Sequence, residues 1–147
     1  MKTRTFLSLG VMTAALGLSV CDMALAADTS TFVAQLSGAN EVPPTSSAGT
    51  GKLEATLDKQ TSVLSWTLTY SGLSGPVKAG HFHGPAAEGA NAGVALGFKG
   101  SVESPIQGSA TLTAAQVEDL VAGKWYVNLH TAANPGGEVR GQVKQSP

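Results

Sequence analysis

Three histidines are the residues of this chain best suited to chemistry. His81 and His83 flank Phe82 at the end of the segment 77–83, whose composition favours a β-strand. Side chains alternate along a strand, so both imidazoles leave one face, about 6.6 Å apart along the backbone. Two rings at that spacing can converge on one metal ion, with metal–nitrogen bonds of about 2.0 Å. Phe82 points the other way, into the predicted core.

His130 supplies a third ring. It ends the segment 125–130, where Tyr126, Asn128 and His130 form the polar face of another predicted strand. A loop rich in Gly and Pro follows each histidine segment. We therefore expect all three rings to meet at one rim if the strand ends lie on the same side of the sheet. The alternative is three unrelated histidines on the surface or hydrogen-bonded within loops.

The ligand types indicate which metal such a site would hold. The single cysteine, Cys21, and all three methionines lie in the first 23 residues, so the rest of the chain offers no sulfur ligand. Three imidazoles without a thiolate suit Cu(II), with Zn(II) as the alternative. Three protein nitrogens also leave one coordination position open, a pattern typical of catalytic rather than closed structural sites.

Charged and polar residues are predicted to surround the three ligands. Arg140 is a candidate for guiding a small anion to the open position, although a surface salt bridge with Glu138 or Glu41 explains it equally well. Glu41 stands in a Pro-containing loop, where a carboxylate is expected to hydrogen-bond a histidine or Arg140. Asn128 shares the face of His130, and Glu138 shares that of Arg140, so both are predicted to support the site.

The surrounding segments predict an all-β domain. Alternating apolar and polar residues mark about eight short strands, separated by turn signals at the spacing typical of antiparallel folds. One short helix is predicted to open at Thr113 with a Thr/Gln capping box and to end at Gly123. We therefore expect a Greek-key antiparallel β-sandwich or barrel that forms a single domain over residues 27–147.

The first 26 residues have the order of features of a secretory signal peptide. Lys2 and Arg4 precede an apolar stretch, and the small residues around Ala26 resemble a cleavage site. The protein is therefore expected to be exported to the periplasm or the extracellular space. Lipidation of Cys21 is a minor alternative, since Val20 departs from the small residue that a lipoprotein motif has before its cysteine.

Charge and hydropathy exclude two classes of partner. The formal net charge is −1, whereas a nucleic-acid-binding protein needs a basic surface. No apolar run approaches the length of about 20 residues that a membrane span requires. A metal ion and a small anion are the expected partners, and the sequence identifies no protein partner.

Three blocks of the sequence resemble the chordin (CHRD) domain family. They cover residues 36–44, 81–86 and 126–142, and they occur in the same order as in the family. The family includes chordin, an extracellular antagonist of growth-factor signalling, and single secreted bacterial domains, to which this chain is similar. The resemblance implies a secreted β-barrel domain without specifying a biochemical activity.

A more distant likeness is to copper/zinc superoxide dismutase. In that Greek-key barrel, a strand His-x-His, a later histidine and a C-terminal arginine resemble His81, His83, His130 and Arg140. The family has a fourth copper histidine, a zinc site and a disulfide, which this chain lacks.

Two functions follow as hypotheses. The first is a secreted copper protein, acting in metal retention or in superoxide chemistry. The second is a non-catalytic extracellular binding module in which the histidines are structural. Zinc-dependent hydrolysis is a further alternative, but Glu41 and Glu138 are its only candidate bases.

Overall fold

A computed structural model describes residues 28–147 of the protein. The predicted signal peptide and Cys21 lie outside these residues. The described part of the chain forms nine strands and one α-helix: β1 (Thr29–Ser37), β2 (Thr50–Asp58), β3 (Val63–Ser71), β4 (Val77–His83), β5 (Val94–Gly97), β6 (Ile106–Thr111), α1 (Ala114–Val121), β7 (Tyr126–Thr131), β8 (Val139–Gln142) and β9 (Lys144–Gln145).

The strands form one antiparallel sheet in the order β5-β4-β7-β8-β1-β2-β3-β6, and β9 pairs with β1. The sheet curls into a half-barrel. Phe98, which follows β5, stacks on Trp66 of β3, with ring centroids 5.5 Å apart, so the two ends of the sheet approach each other. The all-β prediction with one short helix is confirmed, and the two-residue β9 adds a strand to the expected number.

Alternation along the long strands β1 and β2 separates the core from the outer surface. In β2, Leu53, Ala55 and Leu57 are buried, whereas Lys52 and the other intervening residues are exposed. The same period places Phe82 of β4 in the core, as predicted, where its ring packs edge-on against Trp66. Burial of apolar side chains stabilises the inner face, at about 25 cal/mol per Å² of apolar surface. The outer face is left to polar residues.

The helix begins as the sequence predicts. The Thr113 hydroxyl accepts from the Gln116 amide, while the Gln116 side chain accepts from the Thr113 amide. Gly123, with φ of 69°, follows the helix in the left-handed conformation that favours glycine. Gln116 also donates to the Ala95 carbonyl of β5, which ties the helix to an edge of the sheet.

Register between three neighbouring strands places the predicted site residues on one face. In the β4–β7 pair, His81 lies opposite Asn128, His83 opposite Tyr126, and Ala79 opposite His130. In the β7–β8 pair, Asn128 lies opposite Arg140. Since paired residues point to the same side of a sheet, the three histidines share the outer face with Asn128 and Arg140.

Within residues 28–147, no helix is both long enough and apolar enough to cross a bilayer.

A close approach between β8 and β1 gives a test of this framework. A Cβ added at Gly141 would lie 2.5 Å from the Gln35 carbonyl oxygen, which is backbone and cannot rotate away. We expect Gly141→Ala to lower the free energy of unfolding by about 1–3 kcal/mol, measured by urea denaturation. The control is Gly136→Ala, whose new Cβ meets no atom within 4 Å. Equal stabilities for the two variants would contradict this packing.

Candidate metal centre

The structure brings the three predicted histidines together. One ring nitrogen from each of His81, His83 and His130 lies within 4.8 Å of the others. The ring centroids of His81 and His130 are 4.9 Å apart, those of His81 and His83 are 5.5 Å apart, and those of His83 and His130 are 6.4 Å apart. The cluster is partly covered: His83 is 9% exposed, and the other two rings are half-buried.

Backbone carbonyls orient two of the rings. Nδ1 of His83 lies 3.0 Å from the Ala92 carbonyl oxygen, and Nδ1 of His130 lies 2.9 Å from that of Pro135. A carbonyl oxygen can only accept, so each Nδ1 carries the hydrogen. In the neutral ring, the lone pair is then on Nε2, the nitrogen left free for a metal.

Among the ring nitrogens that no carbonyl engages, those of His81 and His130 lie close together. His130 Nε2 lies 3.0 Å from His81 Nδ1. Since Nε2 of the neutral His130 ring carries the lone pair, His81 Nδ1 donates this hydrogen bond. His83 Nε2 is buried and has no hydrogen-bond partner among the described residues. Because leaving a buried polar atom unpartnered is costly, this nitrogen is suited to bind a cation. The donor set therefore fits a transition-metal ion.

Burial keeps two of the imidazoles in the form that binds metals. Desolvation lowers the pKa of His81, and the neighbouring His130 and His83 lower it further. Desolvation also lowers the pKa of His83, with contributions from His130 and Arg140, although its bond to Ala92 and the nearby Asn128 oppose the shift. Neutral rings are favoured as a result, and a neutral ring need not lose a proton before binding a cation.

Arg140 is buried, only 2% exposed, and turned toward the loop between β4 and β5. Its Nη1 donates to Asn91 Oδ1 at 2.9 Å, and its Nη2 donates to the Ala90 carbonyl at 2.5 Å. Its guanidinium carbon lies 3.4 Å from the centre of the Tyr126 ring, a cation–π contact. This arginine is therefore not part of an exposed salt bridge.

Glu41 and Asn128 lie behind the histidines. Glu41 is 6% exposed; desolvation raises the pKa of its carboxyl against the opposing effects of Arg140, the Val42 amide and Asn128. Its side chain makes no hydrogen bond to a histidine in the described residues. Asn128 lies beside both Glu41 and His83 but meets neither in good hydrogen-bond geometry, since Glu41 Oε1, Asn128 Oδ1 and His83 Nε2 all lack a partner.

Gly137 makes room for this polar group. Its φ of 130° lies in the region that favours glycine. A Cβ at this position would lie 2.8 Å from Asn128 Nδ2 and still closer to Glu41 Oε1. The Gly-rich loop after β7 thus has a steric role as well as supplying the Pro135 carbonyl.

Glu138 supports the end of the barrel. Its carboxylate is fully buried and accepts from the Ser47 hydroxyl at 2.7 Å, from the Ser74 amide and hydroxyl at 2.7 and 2.6 Å, and from the Thr131 hydroxyl. Burial would raise its pKa, but these hydrogen bonds outweigh burial and lower the pKa from 4.5 to about 2. Glu138 was predicted to support the site. Among the described residues it bonds to Ser47, Ser74 and Thr131 and to none of the three histidines.

Sequence reasoning missed two parts of the site. Tyr126 stacks on His83, with parallel planes and ring centroids 4.8 Å apart. Its position on the same strand face as Asn128 was a signal that could have identified it. The carbonyls of Ala92 and Pro135 had no such signal, because backbone groups carry no residue-type signature.

The fold and the cluster together define a small all-β domain with a candidate three-histidine metal centre. The family model for the CHRD domain matches residues 32–143. The chain therefore belongs to the CHRD family, as its motif blocks predict. No curated protein and no solved structure matches the chain, so the likeness to superoxide dismutase rests on the sequence pattern alone.

The Glu138 network predicts a pH-dependent stability. The folded pKa lies below the unfolded one, so the stabilisation is full above about pH 4.5 and is lost as pH falls toward 2. We expect Glu138→Gln to lower the free energy of unfolding by about 3 kcal/mol at pH 7, with a smaller difference from the wild type at pH 3. Urea denaturation at both pH values measures this.

The exposed Glu54, paired with Lys52 at the surface, provides the matched control for that experiment. Glu54→Gln should change the stability by less than about 1 kcal/mol at either pH. A Glu138→Gln deficit that stays constant between pH 7 and pH 3 would contradict the assigned ionisation.

Proposed function

We propose that this protein is an exported copper-binding protein that holds one Cu(II) ion through His81, His83 and His130. One observation carries the proposal: three imidazole nitrogens lie within 4.8 Å of one another, and His83 Nε2 is buried without a partner. A bound cation would satisfy that nitrogen. It would also take the place of the hydrogen between His81 and His130, and the neutral His81 ring would then carry that hydrogen on Nε2.

The hydrogen bonds of the rings support one choice of ligand atoms. His83 and His130 would bind through Nε2, because a loop carbonyl engages Nδ1 of each ring. His81 would bind through Nδ1, the atom that faces His130. Carbonyl partners of this kind fix the ring orientation of metal-binding histidines and increase their basicity.

The chemistry of the donors favours copper over other divalent ions. Imidazole binds Cu(II) more tightly than Zn(II) in the general order of divalent affinities, and residues 28–147 contain no sulfur ligand that would favour Cu(I). Zinc remains the competing ion to test. Export is supported by the family, which occurs in secreted proteins, and by the predicted signal peptide.

A specific observation also favours the second hypothesis, a non-catalytic extracellular binding module with structural histidines. Three direct hydrogen bonds hold the histidines without a metal. His81 to His130 links β4 to β7, whereas His83 to Ala92 and His130 to Pro135 link strands to loops. Metal uptake separates the two functions, since structural histidines alone would hold no stoichiometric copper.

The proposal predicts one copper per chain after loading with Cu(II) and desalting, measured by elemental analysis. His83→Ala should reduce the stoichiometry to near zero, because two remaining nitrogens form a much weaker site. His81→Ala and His130→Ala should do the same. The control is Gln107→Ala, an exposed residue of β6, which should retain one copper. Near-zero copper in the wild type would contradict the proposal.

The buried position of Arg140 favours metal retention over superoxide turnover, because its Nη atoms are engaged with the loop rather than presented to solvent. We expect the copper-loaded protein to leave the rate of superoxide decay at the level of the metal-free protein. A rate well above that level, abolished by Arg140→Ala in protein of equal copper content, would instead establish anion-guided catalysis.

A further inference from the structure

The loop between β4 and β5, residues 84–93, covers the outer face beside the histidines and is held by several side chains. Arg140 contributes two of its hydrogen bonds, to Asn91 and Ala90. Asn91 also donates to the Val42 carbonyl at 3.1 Å, which joins this loop to the one that carries Glu41. The loop is therefore anchored to β8 at residues 90 and 91, immediately before Ala92, whose carbonyl contacts His83.

Tyr126 holds Ala92, the residue that follows Asn91, through two hydrogen bonds. Its hydroxyl accepts from the Ala92 amide and donates to the Ala92 carbonyl, with both distances at 3.2 Å. The same carbonyl accepts the Nδ1 hydrogen of His83 at 3.0 Å. Because the Tyr126 ring packs against His83 and against the Arg140 guanidinium, one stack joins the cation, the phenol and the candidate ligand.

From these contacts we infer that Arg140 is a positioning residue for His83. It holds residues 90 and 91, so that the carbonyl of Ala92 keeps the hydrogen on His83 Nδ1 and leaves the Nε2 lone pair free to bind a cation. Arg140 thus governs metal affinity through the loop, rather than by attracting an anion. The inference rests on the proposed function for its effect on copper, but its effect on the ring exists without metal.

The geometry of the guanidinium distinguishes this role from one of charge alone. Arginine presents several donors in a rigid planar fork, whereas lysine has a compact ammonium and no plane to stack on Tyr126. If only the charge of Arg140 matters, Arg140→Lys should keep the wild-type His83 tautomer and Cu(II) affinity. If Arg140 positions the loop, both Arg140→Lys and Arg140→Gln should change them, because neither side chain can hold Ala90 and Asn91 together.

Nitrogen-15 NMR of the histidine rings in the metal-free protein measures the first consequence. In the wild type, we expect His83 to give the signals of a single tautomer with the hydrogen on Nδ1. In Arg140→Lys and Arg140→Gln, both tautomers should contribute to the signal. The control is Lys59→Gln, which removes an exposed cation paired with Asp28 and should leave the tautomer unchanged.

A competition titration with Cu(II) measures the second consequence. Loss of a group that orients a ligand typically weakens metal binding by about 10–100-fold, and we expect that range for both Arg140 variants. Tyr126→Phe keeps the stacked ring but removes the hydroxyl that holds Ala92. It should weaken binding in the same direction, and it keeps the inference testable if an Arg140 variant fails to fold.

The two measurements separate the possible failures. If the wild type binds no copper, the proposed function is wrong, and the tautomer in the Arg140 variants still decides the positioning role. If copper binds and His83 keeps its tautomer and affinity in Arg140→Gln, the positioning role is wrong while the metal site stands. Wild-type affinity in Arg140→Lys would also overturn it, in favour of charge alone.

Discussion

Backbone pairing between β4 and β7 is the constraint on which the site depends. These strands are separated by more than forty residues in sequence, and their register brings His130 next to the pair His81 and His83. A shift of one residue would turn the His130 ring toward the core and an apolar neighbour outward. Since Val127 and Leu129 are fully buried, the apolar core fixes this register and thereby assembles the cluster.

Alternation in β4, β7 and β8 places the core residues and the candidate site residues on opposite faces of the sheet. The inner residues of these strands pack in the barrel, while the outer ones, from His81 to Arg140, form a polar layer covered by loops. The polar layer is held from two directions. Glu138 fastens the loops at one end through Ser47, Ser74 and Thr131, and Arg140 fastens the loop of residues 84–93.

Much of this arrangement could be predicted from the sequence, because it follows from period and residue type. The strand faces of His81, His83 and Asn128, the capping box at Thr113 and the all-β class are all properties of local pattern. Contacts between segments that are distant in sequence were harder to predict. The hydroxyl network around Glu138 depends on three loops meeting, and no local pattern shows which loops meet. The ring-orienting carbonyls of Ala92 and Pro135 are equally invisible, since any residue could supply them.

Arg140 shows why residue type alone does not predict the surroundings of a side chain. An arginine near histidines suggests anion attraction, and that interpretation assumes a guanidinium open to solvent. Here it is 2% exposed and bonded to backbone and amide oxygens of a covering loop. A buried cation is costly unless its donors are satisfied, so the loop and the arginine require each other. That mutual requirement links the position of His83 on β4 to a side chain of β8, through a loop that lies between them.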